Sequence, residues 1–267
     1  HTDILLYSNV AFSLWLLYEY LQNKKLGYAL GASVAMGLAM LTKGPFGVVV
    51  PFFAVIGYLV TTRQFKQLLN PVWILVVIVA FAVASPALIN LYRHWGWQGI
   101  GFFIWENNMG RVTGKYLGNT PDPTFYIHNL LYLFLPWSVS LFAGAWLSVN
   151  KLIKKKLTPA DKYLFWTFWI LFVTLSASRS KLPNYIMVLM PVAAVWAANT
   201  WHTYFDGKTK FTGFANRLAI AQWVSIAVLW ILPIAALILL SPKPSITLLV
   251  VPTALLVGTW FLAKSLE

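Results

Sequence analysis

Cysteine is absent from this 267-residue chain, which excludes disulfides, zinc–thiolate centres and iron–sulfur clusters and leaves the redox compartment unread. Charge is scarce: 10% of the residues are Asp, Glu, Lys or Arg, against about 25% in an ordinary soluble domain. Acids are scarcest, seven against 20 Lys and Arg, for a formal net charge of +13. In their place stand 59% hydrophobic and 16% aromatic residues, and the mean hydropathy is +0.70. A chain of this length with so few polar residues has no means of covering a soluble surface. A single soluble globular domain, a disordered chain and a coiled coil are therefore excluded. The basic excess has to be placed relative to a membrane before it is read as a partner signal. The chain opens at His1 inside an apolar segment, with no signal-peptide pattern, and reads as a fragment of a longer membrane protein.

A window of about 19 residues marks apolar spans near 4–21, 27–41, 46–61, 72–92, 129–149, 162–177, 185–201, 218–240 and 246–263. The expected fold is an all-α, polytopic transmembrane bundle of about eight or nine spans, a single domain over 1–267. Several spans fall short of the ~20 residues needed to cross the hydrocarbon, so some helices bend or extend beyond these bounds. Spans 27–41 and 46–61 are separated only by Thr42-Lys43-Gly44-Pro45 and read as two short helices or one re-entrant pair. Gly27, Gly31, Ala35 and Ala39 recur every four residues, a ridge suited to close helix packing.

Numbering the connections alternately sorts the basic residues into two sets. Thirteen fall on one side, including Lys24, Lys25, Arg63, Lys66, the run Lys151 to Lys156 and Lys162. Seven fall on the other: Lys43, Arg93, Arg111, Lys115, Arg179, Lys181 and Lys243. The positive-inside rule makes the first side cytoplasmic, and Lys151–Lys156 a solvated loop near anionic lipid. Nucleic acid is set aside as a partner. The longest outer connection, about 93–128, is rich in Gly, Asn, Trp and Phe and is expected to carry one or two short interfacial helices. Trp95, Trp97, Phe102, Phe103 and Trp105 would form an aromatic belt at headgroup level.

Ionisable groups at the membrane edge need a reason. Asp3 stands at the outer start of the first span, either as a carboxylate favoured by the helix dipole or as a site residue. Lys43 sits between two apolar segments, just before a helix start. It is either an anion-binding lysine beside free backbone N–H groups or a snorkelling lysine in a simple turn. Ser178-Arg179-Ser180-Lys181-Leu182-Pro183-Asn184-Tyr185 repeats the device on the same face, and Arg111 follows Glu106-Asn107-Asn108-Met109-Gly110 as a third outer cation. Three separate cationic loops on one face of a chain with seven acids suggest a phosphate or pyrophosphate ligand. With no P-loop and no Gly-x-Gly-x-x-Gly, the phosphate is expected to arrive on a lipid. The histidines, His1, His94, His128 and His202, lack metal-ligand spacing. A divalent metal is left open as a cofactor, with no ligand set readable, and no Ser/His/Asp arrangement is discernible.

Taken in order, these motifs resemble a known family. His1-Thr2-Asp3-Ile4-Leu5-Leu6 resembles the acidic motif that opens a helix in GT-C membrane glycosyltransferases related to protein O-mannosyltransferases and the lipid A aminoarabinose transferase. Gly37-Leu38-Ala39-Met40-Leu41-Thr42-Lys43-Gly44-Pro45 is similar to that family's Leu-Thr-Lys-Gly-Pro loop. Asn107-Asn108 with Arg111, then Pro136-Trp137-Ser138, then Ser180-Lys181-Leu182-Pro183-Asn184-Tyr185 match further landmarks in the same order. The resemblance covers about residues 1–200; residues 201–267 carry only hydrophobicity.

The resemblance implies transfer of a hexosyl or pentosyl group from a polyprenyl-phosphate carrier to a lipid, protein or glycan acceptor on the extracytoplasmic face of the inner membrane. In it, Lys43, Arg111, Arg179 and Lys181 bind the carrier phosphate and Tyr185 supports them. Asp3 is the catalytic-site carboxylate that orients the site or helps bind the acceptor. Glu106, Asn107, Asn108 and His128 are candidates for acceptor binding or site support. The acid usually assigned as base in that family would lie before residue 1, so this stretch alone is expected to be inactive. The family's histidine ahead of the helix at 126 is replaced by Asn119-Thr120-Pro121-Asp122-Pro123, with His128 after it. A transporter or flippase of lipid-linked sugars would use the same outer cations and broken helices. It would, however, tend to show paired halves and a mid-membrane site, whereas here the unusual loops share one face. A membrane assembly subunit would need no such set of cations.

Overall fold

The computed structural model describes residues 2–113, 122–205 and 213–240, with a few positions beyond, and is helical throughout, with no strand among the described residues. The expected span 246–263 and residues 114–121 lie almost entirely outside the described residues. The helices are α1 (Thr2–Asn23), α2 (Leu26–Lys43), α3 (Phe46–Thr61), α4 (Phe65–Leu68), α5 (Val72–Gly101), α6 (Asn107–Thr113), α7 (Phe125–Leu133), α8 (Ser138–Ile153), α9 (Pro159–Ala177), α10 (Met190–Phe205) and α11 (Gly213–Leu240). A π-helical turn, Phe102–Glu106, joins α5 to α6, and a 3₁₀ segment, Pro183–Leu189, leads into α10. Among the described residues, three stretches are long and apolar enough to cross a membrane, Asp3–Asn23, Leu26–Lys43 and Phe65–Gly110. Phe46–Thr61, Ser138–Ile153 and Gly213–Leu229 are shorter apolar helices. The protein is a membrane protein.

The chain forms two compact units. The first comprises His1–Leu130 with Ala145–Val195. In it α2 packs between α1 and α5, while α3 packs on α9 and against α1 and α2. Without a hydrophobic drive between helices in lipid, close approach of small residues supplies the contact. Ala35 and Ala39 are buried, and a Cβ on Gly31 would stand 3.1 Å from Leu16 of α1. Gly27, the first member of the expected ridge, faces open space. Closer approaches lie elsewhere: a Cβ on Gly37 would meet Val83 of α5 at 2.6 Å, and one on Gly57 would meet Trp166 of α9 at 2.5 Å. Residues 27–41 and 46–61 are thus two separate helices, broken at Gly44.

The start of α9 follows directly from its sequence. Thr158 accepts from the Asp161 amide and Asp161 returns a bond to the Thr158 amide, both at 3.1 Å, with Pro159 at the first helical position. Tyr163 of α9 donates to the Leu14 carbonyl of α1 at 2.8 Å, a buried cross-helix bond that fixes the register of the pair.

The second unit comprises Leu131–Gly144 with Trp196–Glu267. Its described core holds a polar knot in an otherwise apolar setting. Gln222 is buried, donates to the Pro136 carbonyl at 2.6 Å and accepts from Ser140 at 2.9 Å. Ser225 donates to the same carbonyl at 2.8 Å. A backbone oxygen freed where the expected span 129–149 breaks, between α7 and α8, is satisfied in this way.

Candidate active site

The α1–α2 hairpin puts the start of α1 and the end of α2 at the same end of the bundle. Asp3, in the first turn of α1, and Lys43, the last residue of α2, form a salt bridge there. Each charge also sits at the helix end whose dipole favours it. The side chains keep 29% and 25% of their surface accessible, so the pair is reachable from outside. The second carboxylate oxygen of Asp3 accepts from the Asn184 side-chain amide at 2.8 Å. Tyr7, one turn along α1 from Asp3, donates to the Asn184 backbone carbonyl. Tyr185 turns its ring toward Lys43, with the ammonium 5.2 Å from the ring centroid, a cation–π contact.

Two features place these groups. Pro183 starts a 3₁₀ turn instead of a full helix, so Asn184 and Tyr185 are successive residues that reach the two ends of one ion pair. Gly44 ends α2 with φ 66° and ψ −146°, a conformation closed to side chains. A Cβ at Gly44 would also stand 3.1 Å from the Phe103 carbonyl oxygen. The turn bearing Lys43 is therefore held against the π-helical segment. Gly44→Ala should cost about 1–3 kcal/mol of stability, read as a lower thermal unfolding midpoint in detergent. An unchanged midpoint would show that the turn tolerates a side chain.

Of the residues singled out in the sequence, the structure brings Asp3, Lys43 and Tyr185 together. Asn108 bonds locally, donating to the Phe103 and Ile104 carbonyls at 3.2 and 3.1 Å and closing the π-turn. Asn107 is half-buried beside it and Glu106 is exposed. The Arg111 side chain lies outside the described ones, but its neighbour Val112 accepts from the Arg179 amide at 3.2 Å, which joins α6 to the 178–184 loop. Lys181, on that loop, is buried, 9% exposed. His128 stands 3.9 Å from Asp122. The Asp122 carboxyl is held below its usual range first by the Thr124 hydroxyl and amide, with His128 and Lys181 adding through space. No three of the described His, Asp or Glu side chains gather as a metal site. Tyr7, Asn184 and the Phe103 carbonyl were not singled out from sequence. Tyr7 was the findable one, because it stands four residues from Asp3 on the same helical face.

The described residues define an all-helical membrane bundle that carries a carboxylate–lysine pair at one end. The sequence model of the family described as dolichyl-phosphate-mannose-protein mannosyltransferase matches residues 1–90. An undecaprenyl phosphate-alpha-4-amino-4-deoxy-L-arabinose arabinosyl transferase of Pseudomonas fluorescens is 29% identical over 168 residues, 62% of this chain and 27% of that protein. A transferase of the same description from Pseudomonas paraeruginosa is 30% identical over 176 residues, 63% of this chain and 30% of that protein. The chain thus spans less than a third of the length of these two relatives. In fold it is similar to ArnT from Cupriavidus metallidurans bound to undecaprenyl phosphate, with a TM-score of 0.68 at 21% identity, covering 88% of this chain and 41% of that one. The chain is thus similar to the mannosyltransferase family over residues 1–90 and to the aminoarabinose transferases over 62–63% of its own length.

Proposed function

We propose that the protein is an integral-membrane glycosyltransferase that moves a sugar from a polyprenyl-phosphate carrier to a lipid, protein or glycan acceptor at the outer face of the inner membrane. The observation that carries this reading is the accessible Asp3–Lys43 pair, braced by Asn184 and Tyr185 at one helix end. The donor for which these relatives are named, an undecaprenyl phosphate sugar, supports the carrier class. Eight or nine spans with the 93–128 connection outside, carrying its short helices, complete the proposed topology.

Chemically, the bond between the anomeric carbon and the phosphate oxygen breaks and its electron pair stays on the phosphate. The acceptor oxygen bonds to the anomeric carbon and its proton leaves to a base. The departing phosphate gains a negative charge, so a cation beside it binds the transition state more tightly than the ground state. Lys43 has three N–H donors. Asp3 takes one and the Tyr185 ring faces the group, which leaves donor capacity toward a phosphate. Asp3 then acts by holding Lys43 in place, with Asn184 fixing the carboxylate and Tyr7 fixing Asn184. Arg179 and Lys181 on the adjoining loop, with Arg111, extend the cationic surface for the carrier. Glu106, Asn107, Asn108 and His128 border it as the acceptor side.

The sidedness is testable in this cysteine-free chain. Pro123→Cys should react with a membrane-impermeant maleimide in intact cells, and Lys156→Cys only after permeabilisation. The reverse pattern would turn the proposed site to the cytoplasm and remove the function built on it. Activity is read with the intact protein in liposomes given a polyprenyl-phosphate-linked sugar. Free polyprenyl phosphate should appear; movement of the intact donor between leaflets without its release would favour a flippase instead.

A further inference from the structure

Far from the Asp3–Lys43 pair, the chain gathers a second set of cations. α1 runs from Thr2 to Asn23, so at 1.5 Å per residue its C-terminal end stands roughly 30 Å from Asp3, on the opposite membrane face. There α1 turns through Lys24 and Lys25 into α2, and α3 turns through Arg63 into α4. Lys24 and Arg63 take φ of 57° and 56°, the left-handed positions that usually fall to glycine at helix ends. The Lys24 ammonium donates to the Gln67 side-chain oxygen and ties the two turns together.

The segment after Arg63 is fixed by its own bonds. The Trp73 indole donates to the Gln67 carbonyl at 2.6 Å and the Val72 amide to the Asn70 side chain at 3.0 Å. Yet this fixed segment leaves Phe65 55% and Leu69 87% exposed. Phe65 opens α4 and Leu69 directly follows its last residue, so both belong to one short turn. The acid nearest in sequence, Glu19, already accepts from the Asn23 amide at 2.7 Å. A rigid turn with exposed apolar side chains among cations fits the boundary between headgroups and acyl chains.

We propose that Lys24–Lys25 and residues 62–70 form a binding site for an anionic phospholipid, its phosphate held by Lys25, Arg63 and Lys66 and its acyl chains against Phe65 and Leu69. The apolar pair is what commits the site to a lipid, since a free phosphate has no use for it. The site stands apart from the transfer chemistry and does not rest on it.

The test is native mass spectrometry of the detergent-solubilised protein with phosphatidylglycerol and phosphatidylcholine of identical acyl chains. Phosphatidylglycerol should be retained preferentially, and Lys25→Gln/Lys66→Gln should lower that preference by about 25-fold, roughly fivefold per cation. Lys25→Arg/Lys66→Arg should keep it. Lys154→Gln/Lys156→Gln, the same charge change in another loop on that side, should leave it largely intact. Glycerol phosphate at equal concentration should not displace the lipid. Equal retention of the two lipids by the unaltered protein, an equal loss in the Lys154/Lys156 variant, or displacement by glycerol phosphate would each overturn the proposal. The lipid comparison on the unaltered protein holds whether or not a variant folds.

Discussion

Lys43→Ala should lower glycosyl transfer by about 30- to 1000-fold, the 2–4 kcal/mol that goes with losing a charge-assisted contact to developing negative charge. The loss should fall mainly on kcat, because the phosphate gains its second charge only as the sugar departs. Lys43→Arg should restore little of it, since the planar guanidinium does not reproduce a compact ammonium set between Asp3 and the Tyr185 ring. Folding is checked by gel filtration in detergent, because removing Lys43 leaves the Asp3 carboxylate without its partner. A folded Lys43→Ala protein that transfers sugar at the normal rate would remove Lys43 from the site.

Asp3→Asn should cost about 10- to 100-fold, the 1.5–3 kcal/mol of a hydrogen bond to a charged group. A carboxylate serving only the helix dipole would contribute about 0.3–1 kcal/mol, and asparagine would replace most of that. A carboxylate acting as base would impose its own ionisation on the pH–rate profile. In the structure both oxygens of Asp3 are engaged, by Lys43 and by Asn184, which is the arrangement of a positioning group. Two readouts separate these roles. Asp3→Asn should leave the shape of the pH profile unchanged, and it should add almost nothing on a Lys43→Ala background, because the two residues act as one unit. Additive losses, or the disappearance of one limb of the profile, would make Asp3 a group with its own chemistry.

Much of this site was legible in the sequence because charge is so rare in it. Asp3 and Lys43 stood out as ionisable residues at the edges of apolar runs, and a tight α1–α2 hairpin alone puts the first residues of one helix beside the last residues of the next. Gly44 was legible as a helix breaker. Its contact with Phe103 was not, since 58 residues of intervening chain carry no signal for that approach. Asn184 stood in the Ser180–Tyr185 motif without a role of its own, because a neutral amide draws no attention until its partner is known.

The spans illustrate the same division. Hydrophobicity placed α1, α2, α3 and α9 to within a few residues, but it read 129–149 and 185–201 as continuous. Pro136 interrupts the first, and the second begins in the 3₁₀ segment Pro183–Leu189 and becomes α-helix only at Met190. An apolar window averages over the break, while the backbone bonds around it, such as Gln222 and Ser225 to the Pro136 carbonyl, are long-range. The aromatic stretch after residue 93 behaved likewise. α5 runs on to Gly101 through a bend at Gly96, where φ is 58°, before the π-turn begins.

The measurement that tests the central claim most directly is release of free polyprenyl phosphate from a polyprenyl-phosphate-linked sugar by the intact protein in liposomes, compared with its Lys43→Ala variant at matched reconstitution and saturating donor. The unaltered protein should release it, and the variant should lose at least about 30-fold of that rate. Equal release by the two, or donor that crosses the bilayer with its sugar still attached, would contradict that claim.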